Sequence, residues 1–125
     1  MAALSAGAVV FVTFPFSDLS QVKLRPAVVL ANAGRGDFIL AQVTSNAFAD
    51  PLAITLTSRD FVAGSLQQTS YVRPGKLFTA NGTLIARQVG QLAPAALSRI
   101  IDQVVAILRG GAGTDRAGAG NTEKQ

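Results

Sequence analysis

The chain has 125 residues, 49% hydrophobic and only 14% charged, which is the length of one domain and too apolar for disorder. It has no Cys, His or Trp, which excludes disulfide frameworks, thiolate nucleophiles, Ser-His-Asp triads and sites built on Cys or His metal ligands. Eleven Lys and Arg against seven Asp and Glu leave +4, and most of the cations are Arg, a side chain suited to bidentate contact with phosphate; this balance is compatible with nucleic acid without demonstrating it.

The first predicted element is a strand over 8–15, a Val- and Phe-rich run ended by Pro15. Residues 16–24 are polar and turn-like. A second strand over 25–31 enters just after Pro26, where proline is tolerated. Residues 32–37 hold two glycines and read as a turn into a third strand over 38–44, which makes a hairpin. Residues 53–57, rich in β-branched side chains, predict a further strand. Residues 59–69 are mixed, a loop or one helical turn. Residues 70–79 predict two short strand pieces broken at the turn dipeptide Pro74-Gly75, and after a turn at Asn81-Gly82 a last strand covers 84–89.

Residues 94–108 are the one predicted helix. Leu97, Ile100, Ile101, Val104, Val105 and Leu108 form a single apolar stripe, with Pro94 at the first helical position and Gly110 past the end. Residues 110–125 carry five of the glycines and no large apolar side chain, and predict a flexible tail after a domain of residues 1–109. The charges of the tail cancel, so the +4 belongs to residues 1–109. Residues 1–7 lack the cations of a signal peptide, and no apolar run approaches the ~18 residues of a membrane span, so a cytoplasmic protein is expected. Short strands joined by Gly and Pro turns, then one helix, predict a mainly β (α+β) fold, a small and partly open barrel. Neither a dinucleotide-binding fingerprint nor a Walker A pattern is present.

Three segments stand out together. Phe14-Pro15-Phe16-Ser17-Asp18 is followed by Lys23-Leu24-Arg25-Pro26-Ala27-Val28-Val29; Val43-Thr44-Ser45 ends the next strand; and Ser70-Tyr71-Val72-Arg73-Pro74-Gly75-Lys76-Leu77-Phe78-Thr79 comes third. In this order the chain resembles the MazF/PemK-like toxins over roughly residues 7–109. The resemblance implies an SH3-like, plasmid-maintenance-toxin barrel, usually a homodimer. It also implies cleavage of single-stranded RNA without metal or other cofactor, to 2′,3′-cyclic phosphate and 5′-hydroxyl ends, under the control of an antitoxin protein. It places the catalytic roles on Arg25 and Thr44.

The residue types suit that chemistry. Attack of a ribose 2′-hydroxyl on the adjacent phosphate needs a proton acceptor, a stabilised phosphorane and a proton for the leaving oxygen. A fixed guanidinium can stabilise the phosphorane through paired hydrogen bonds, and a Thr hydroxyl can donate to a non-bridging oxygen. Relatives often carry a Glu near where Ser20 falls, so Asp18, the one acid of that loop, is the candidate base or the acid that orients Arg25. Lys23, Ser45, Arg73 and Lys76 are the candidate RNA contacts, against the alternative of turn-forming or solvated side chains. Some relatives also have an Arg where Phe78 stands. This departure and the one at Ser20 keep a second reading open: a toxin of the same fold, or a degenerate homologue, that acts by binding gyrase, RNA or antitoxin without cutting. Phe14 and Phe16 read as core or loop anchors, and Arg35, Arg59, Arg87, Arg99 and Arg109 as surface charges.

Overall fold

The apolar, β-branched runs form seven strands, and one helix follows them. In the computed structural model, which describes residues 4–14 and 23–111, the strands are β1 (Ala8–Phe14), β2 (Lys23–Gly34), β3 (Asp37–Thr44), β4 (Ile54–Leu56), β5 (Phe61–Gly64), β6 (Ser70–Asn81) and β7 (Ile85–Leu92); the helix is α1 (Pro94–Leu108). All neighbouring strands pair antiparallel in one sheet of order β4-β6-β3-β2-β1-β7-β5. The sheet curls into a half-barrel with β4 and β5 at its open edges, the mainly β architecture that the residues predict. Register shifts in the β1–β7, β2–β3 and β3–β6 ladders supply the curl, because each extra residue bends its strand and increases the local twist.

Both faces of the sheet are covered. Val9, Val28, Ala41 and Val72 pack with Ala96, Ile100 and Val104 of the helix, whereas Ala8, Val10, Val12, Ala27, Val29 and Leu40 form a second apolar layer. A strand buried on both sides has no polar face to alternate with, which is why β1 and the centre of β2 read as continuous apolar runs. The β2–β3 hairpin turns through Gly34, Arg35 and Gly36, all at positive φ, with Asn32 Oδ1 accepting the Gly34 N–H at 2.7 Å.

The helix has the predicted span, with Pro94 in its first turn and Gly110, at φ +79°, donating to Ile107 O just past its end. Its buried face differs from the predicted stripe. Ala96, Ile100 and Val104 are buried, but Val105 is 40% and Leu108 72% exposed. The helix rests on β6 and β4, and the small Ala96, which a hydrophobicity stripe overlooks, is buried in the same core. Fully burying a side chain such as Ile100 contributes about 1.5–3 kcal/mol.

Two more expectations need correction. Residues 70–81 form one continuous strand rather than two pieces, for a reason given below. Residues 59–69 contain an unpredicted strand: a 3-10 turn at Ser58–Asp60 leads into β5, which pairs with β7. From residue 112 the expected tail lies outside the described residues.

Asp60 ties β5 to the helix. Its carboxylate accepts from the Thr57 N–H at 2.8 Å and from Arg99 Nη2 at 3.0 Å. Burial alone would push this carboxyl up, but these bonds and the Arg99 charge outweigh it and hold the group below the usual carboxylate range. A carboxyl depressed by folding stabilises the protein above its unfolded value of about 3.9, and that contribution is lost as pH falls through the folded value. Acid-unfolding curves of Asp60→Asn should therefore lose less stability between about pH 4 and pH 2 than those of the wild type, from a lower starting point at neutral pH.

Candidate active site

The candidate site opens where two neighbouring strands separate. The β2–β3 ladder runs out at Ala27↔Gln42, yet β2 continues to Lys23 against β1, and β3 continues to Thr44 against β6. The divergence leaves a cleft of about 540 Å³, lined by Arg25 and Pro26 on one side and Gln42, Val43, Thr44 and Ser45 on the other. Arg73 and Lys76 also line it.

Arg73 and Lys76 reach the cleft through an irregularity of β6. Between Ala41↔Leu77 and Val43↔Val72, β3 advances by two residues (41 to 43) while β6 uses five (77 to 72). The four residues Arg73-Pro74-Gly75-Lys76 thus stand against the single Gln42. Pro74 does disturb the ladder, as its missing N–H requires, but it is fully buried, and the chain resumes pairing on both sides. A bulge of this kind aims side chains that a regular strand would point elsewhere. Arg73 Nε also donates to Asp50 Oδ2 at 3.3 Å, which fixes the guanidinium and offsets part of its charge.

Asp50 belongs to a loop that is ordered by its own side chains. The Asn46 N–H donates to Thr44 Oγ1 at 3.1 Å, the Phe48 N–H to Asn46 Oδ1 at 2.9 Å, and the Leu52 N–H to Asp50 Oδ1 at 2.9 Å. Thr44 Oγ1 is thus positioned through its lone pair, and its own proton remains available to another acceptor. Arg25 is exposed and has no ion pair or hydrogen bond among the described residues. Arg25, Thr44, Ser45, Arg73 and Lys76 therefore meet at one cleft. Lys23 does not: it is exposed at the start of β2 and does not line the cleft. Asp18, Phe16 and the side chain of Phe14 lie outside the described residues. Among those described, no three of Asp, Glu, His and Cys converge into a metal-ligating group.

Residues 5–108 match the family model of the PemK-like, MazF-like toxins of type II toxin–antitoxin systems. The chain belongs to this family. Solved structures agree with it in fold. A MazE–MazF complex from Deinococcus radiodurans superposes with a TM-score of 0.70 at 22% identity, covering 87% of this chain and 98% of that one. MazF from the same organism gives 0.67 at 22%, covering 87% and 99%. An endoribonuclease in complex with its cognate antitoxin, from Mycobacterial species, gives 0.62 at 19%, covering 89% and 97%. At such identities these likenesses establish the shared fold alone. No curated protein matches the chain.

This MazF-like toxin has a second hollow that sequence reasoning missed. A cavity of about 900 Å³ is lined by Phe11, residues 64–68, Arg87 and Val89, and shares Phe11, Leu66 and Gln68 with the cleft. The Arg87 guanidinium lies over the Phe11 ring, 4.8 Å from its centroid. Arg87 is exposed, as expected of a surface charge, and also lines this cavity. The signal that reveals it is the β1–β7 register, which sets Phe11 opposite Arg87, and no local pattern carries that pairing.

Proposed function

We propose that this toxin is an endoribonuclease that cuts single-stranded RNA by metal-independent transesterification, leaving 2′,3′-cyclic phosphate and 5′-hydroxyl ends. The observation that carries the reading is the convergence of Arg25, Thr44, Arg73 and Lys76 on one cleft in a chain with no His or Cys. Arg25 binds the phosphorane through its planar fork of donors, unencumbered by any carboxylate among the described residues. Thr44 donates to a non-bridging oxygen. Arg73, anchored by Asp50, and Lys76 hold the neighbouring backbone phosphates, with Ser45 as a further contact. Asp18, in the connection between β1 and β2, takes the 2′-proton or orients Arg25, the departing 5′-oxygen takes its proton from a water held by Arg25, and Lys23 steers the strand from outside the cleft.

A cognate antitoxin completes the reading, in line with the antitoxin complexes among the similar structures. So does a homodimer, which would cover large apolar side chains left exposed in one chain, such as Val62 and Leu108. The compartment is the cytoplasm, where the substrate is; no described helix is long and apolar enough to cross a membrane.

The test is incubation of the purified chain with a panel of single-stranded RNAs in EDTA, with analysis of the new ends. Cleavage with 5′-hydroxyl and cyclic-phosphate products is the expected result. Binding to RNA or gyrase without products, or cleavage only after a divalent metal is added, overturns the proposal.

A further inference from the structure

The second cavity has the chemistry of a nucleobase site. Phe11 supports one side of the Arg87 guanidinium, 4.8 Å from ring centroid to Cζ, and no carboxylate among the described residues pairs with that charge. A guanidinium held against an aromatic ring keeps a planar, cationic face, and unpaired RNA bases stack on such planes.

The glutamine amides of β7 and of residues 64–68 differ in their partners. Gln88 Nε2 is used by Gly90 O and Gln91 Oε1, and Gln91 Nε2 by Ala6 O. The side chains of Gln67 and Gln68, which line the cavity, have no partner among the described residues. A free carboxamide offers a donor and an acceptor side by side, the pattern that base edges present. Gln67 is held at a φ of +71°, with its N–H donating to Ser65 Oγ at 3.1 Å, so the wall that carries these amides is a fixed turn. The cavity and the cleft share Phe11, Leu66 and Gln68, so the space beside Arg25 is continuous with this one.

We propose that Phe11, Arg87, Gln67 and Gln68 form a base-binding subsite for a nucleotide flanking the cut phosphate, and that this subsite sets part of the RNA sequence preference. The inference rests on the endoribonuclease reading and names a second part of the same groove.

The test compares the intact wild-type chain with Arg87→Ala, Arg87→Lys and Gln68→Ala. One arm cleaves a randomised single-stranded RNA pool in EDTA and sequences the ends. The other titrates a labelled 2′-O-methyl RNA pool, which cannot be cut, by fluorescence anisotropy. Arg87→Ala should flatten a base preference at one position beside the cut and weaken binding about 5–150-fold, the range of stacking on one side chain. Arg87→Lys should recover part of the binding and none of the preference, because it restores charge without the plane. Gln68→Ala should change the preferred base at a wild-type melting temperature, which keeps the test valid if Arg87→Ala fails to fold.

An Arg87→Ala protein with wild-type profile and affinity overturns the subsite while leaving the nuclease reading intact. A wild-type chain that cuts nothing sinks the nuclease reading in the first arm, and the titration still decides the subsite. In the same titration run with a labelled polyglutamate peptide, an Arg87→Ala protein that keeps wild-type RNA affinity but binds the peptide more weakly assigns the cavity to an acidic protein segment and overturns the proposal.

Discussion

Replacing Arg25 by alanine should lower the single-turnover rate of RNA cleavage by at least about 10²–10³-fold, the usual cost of removing one donor to a developing oxyanion, and should leave the melting temperature nearly unchanged. The two halves of this expectation come from the same observation. Arg25 is exposed and makes no ion pair or hydrogen bond among the described residues, so the folded state loses little without it. Surface substitutions of that kind stay within about 0.5 kcal/mol. The phosphorane gathers more negative charge than the substrate phosphate, so a donor that meets that charge acts mainly on the rate. Arg25→Lys should recover only a small part of the activity, because an ammonium supplies charge without the paired geometry. Single-turnover cleavage and thermal melts on the same preparations check both halves. If Arg25→Ala cuts at the wild-type rate, the cleft is not where RNA is cleaved.

How much of this was readable in the residues depends on whether a feature is local. β1, the β2–β3 hairpin and α1 were, because each is set by a run, a turn or a period within one segment. The cleft was legible only through motifs: Arg25 and Thr44 come together because β2 and β3 pair and then part, and the point of separation is invisible in either strand alone. β5 escaped because three of its four residues are exposed on an edge strand, which leaves no burial pattern to read. In β6 the residues Pro74-Gly75 correctly mark an irregularity but give the wrong outcome. Whether such a dipeptide ends a strand or bulges it depends on what buries the proline, and that is decided by tertiary packing. The Arg87–Phe11 contact was hidden for the same reason, since it forms across a ladder between the two ends of the domain.

Gly64→Ala should be the most damaging glycine-to-alanine change among the described residues, costing about 2–5 kcal/mol and lowering the melting temperature by about 8–20 °C for a domain of this size. Gly64 pairs with Gly90 where β5 joins β7, and the two backbones approach as closely as glycines allow. A Cβ on Gly64 would collide with the Val89 carbonyl oxygen and lie 2.8 Å from Gly90 Cα, atoms of a main chain that cannot swing aside. The φ of +64° adds a conformational penalty for any L side chain. Across the ladder, a Cβ on Gly90 would stand 2.8 Å from two atoms of the Phe61 ring and 3.0 Å from Ala63 O, so neither strand can yield to the other. Gly34→Ala is the control: its φ is +89°, but a Cβ there meets nothing within 4 Å, so it should cost only the conformational part, about 1–2 kcal/mol. Gly64 also begins the wall of residues 64–68 around the Arg87 cavity, so the variant should lose RNA affinity even below its melting temperature, whereas Gly34→Ala should not. If the two variants melt together, the close crossing of β5 and β7 is not what holds that edge of the sheet.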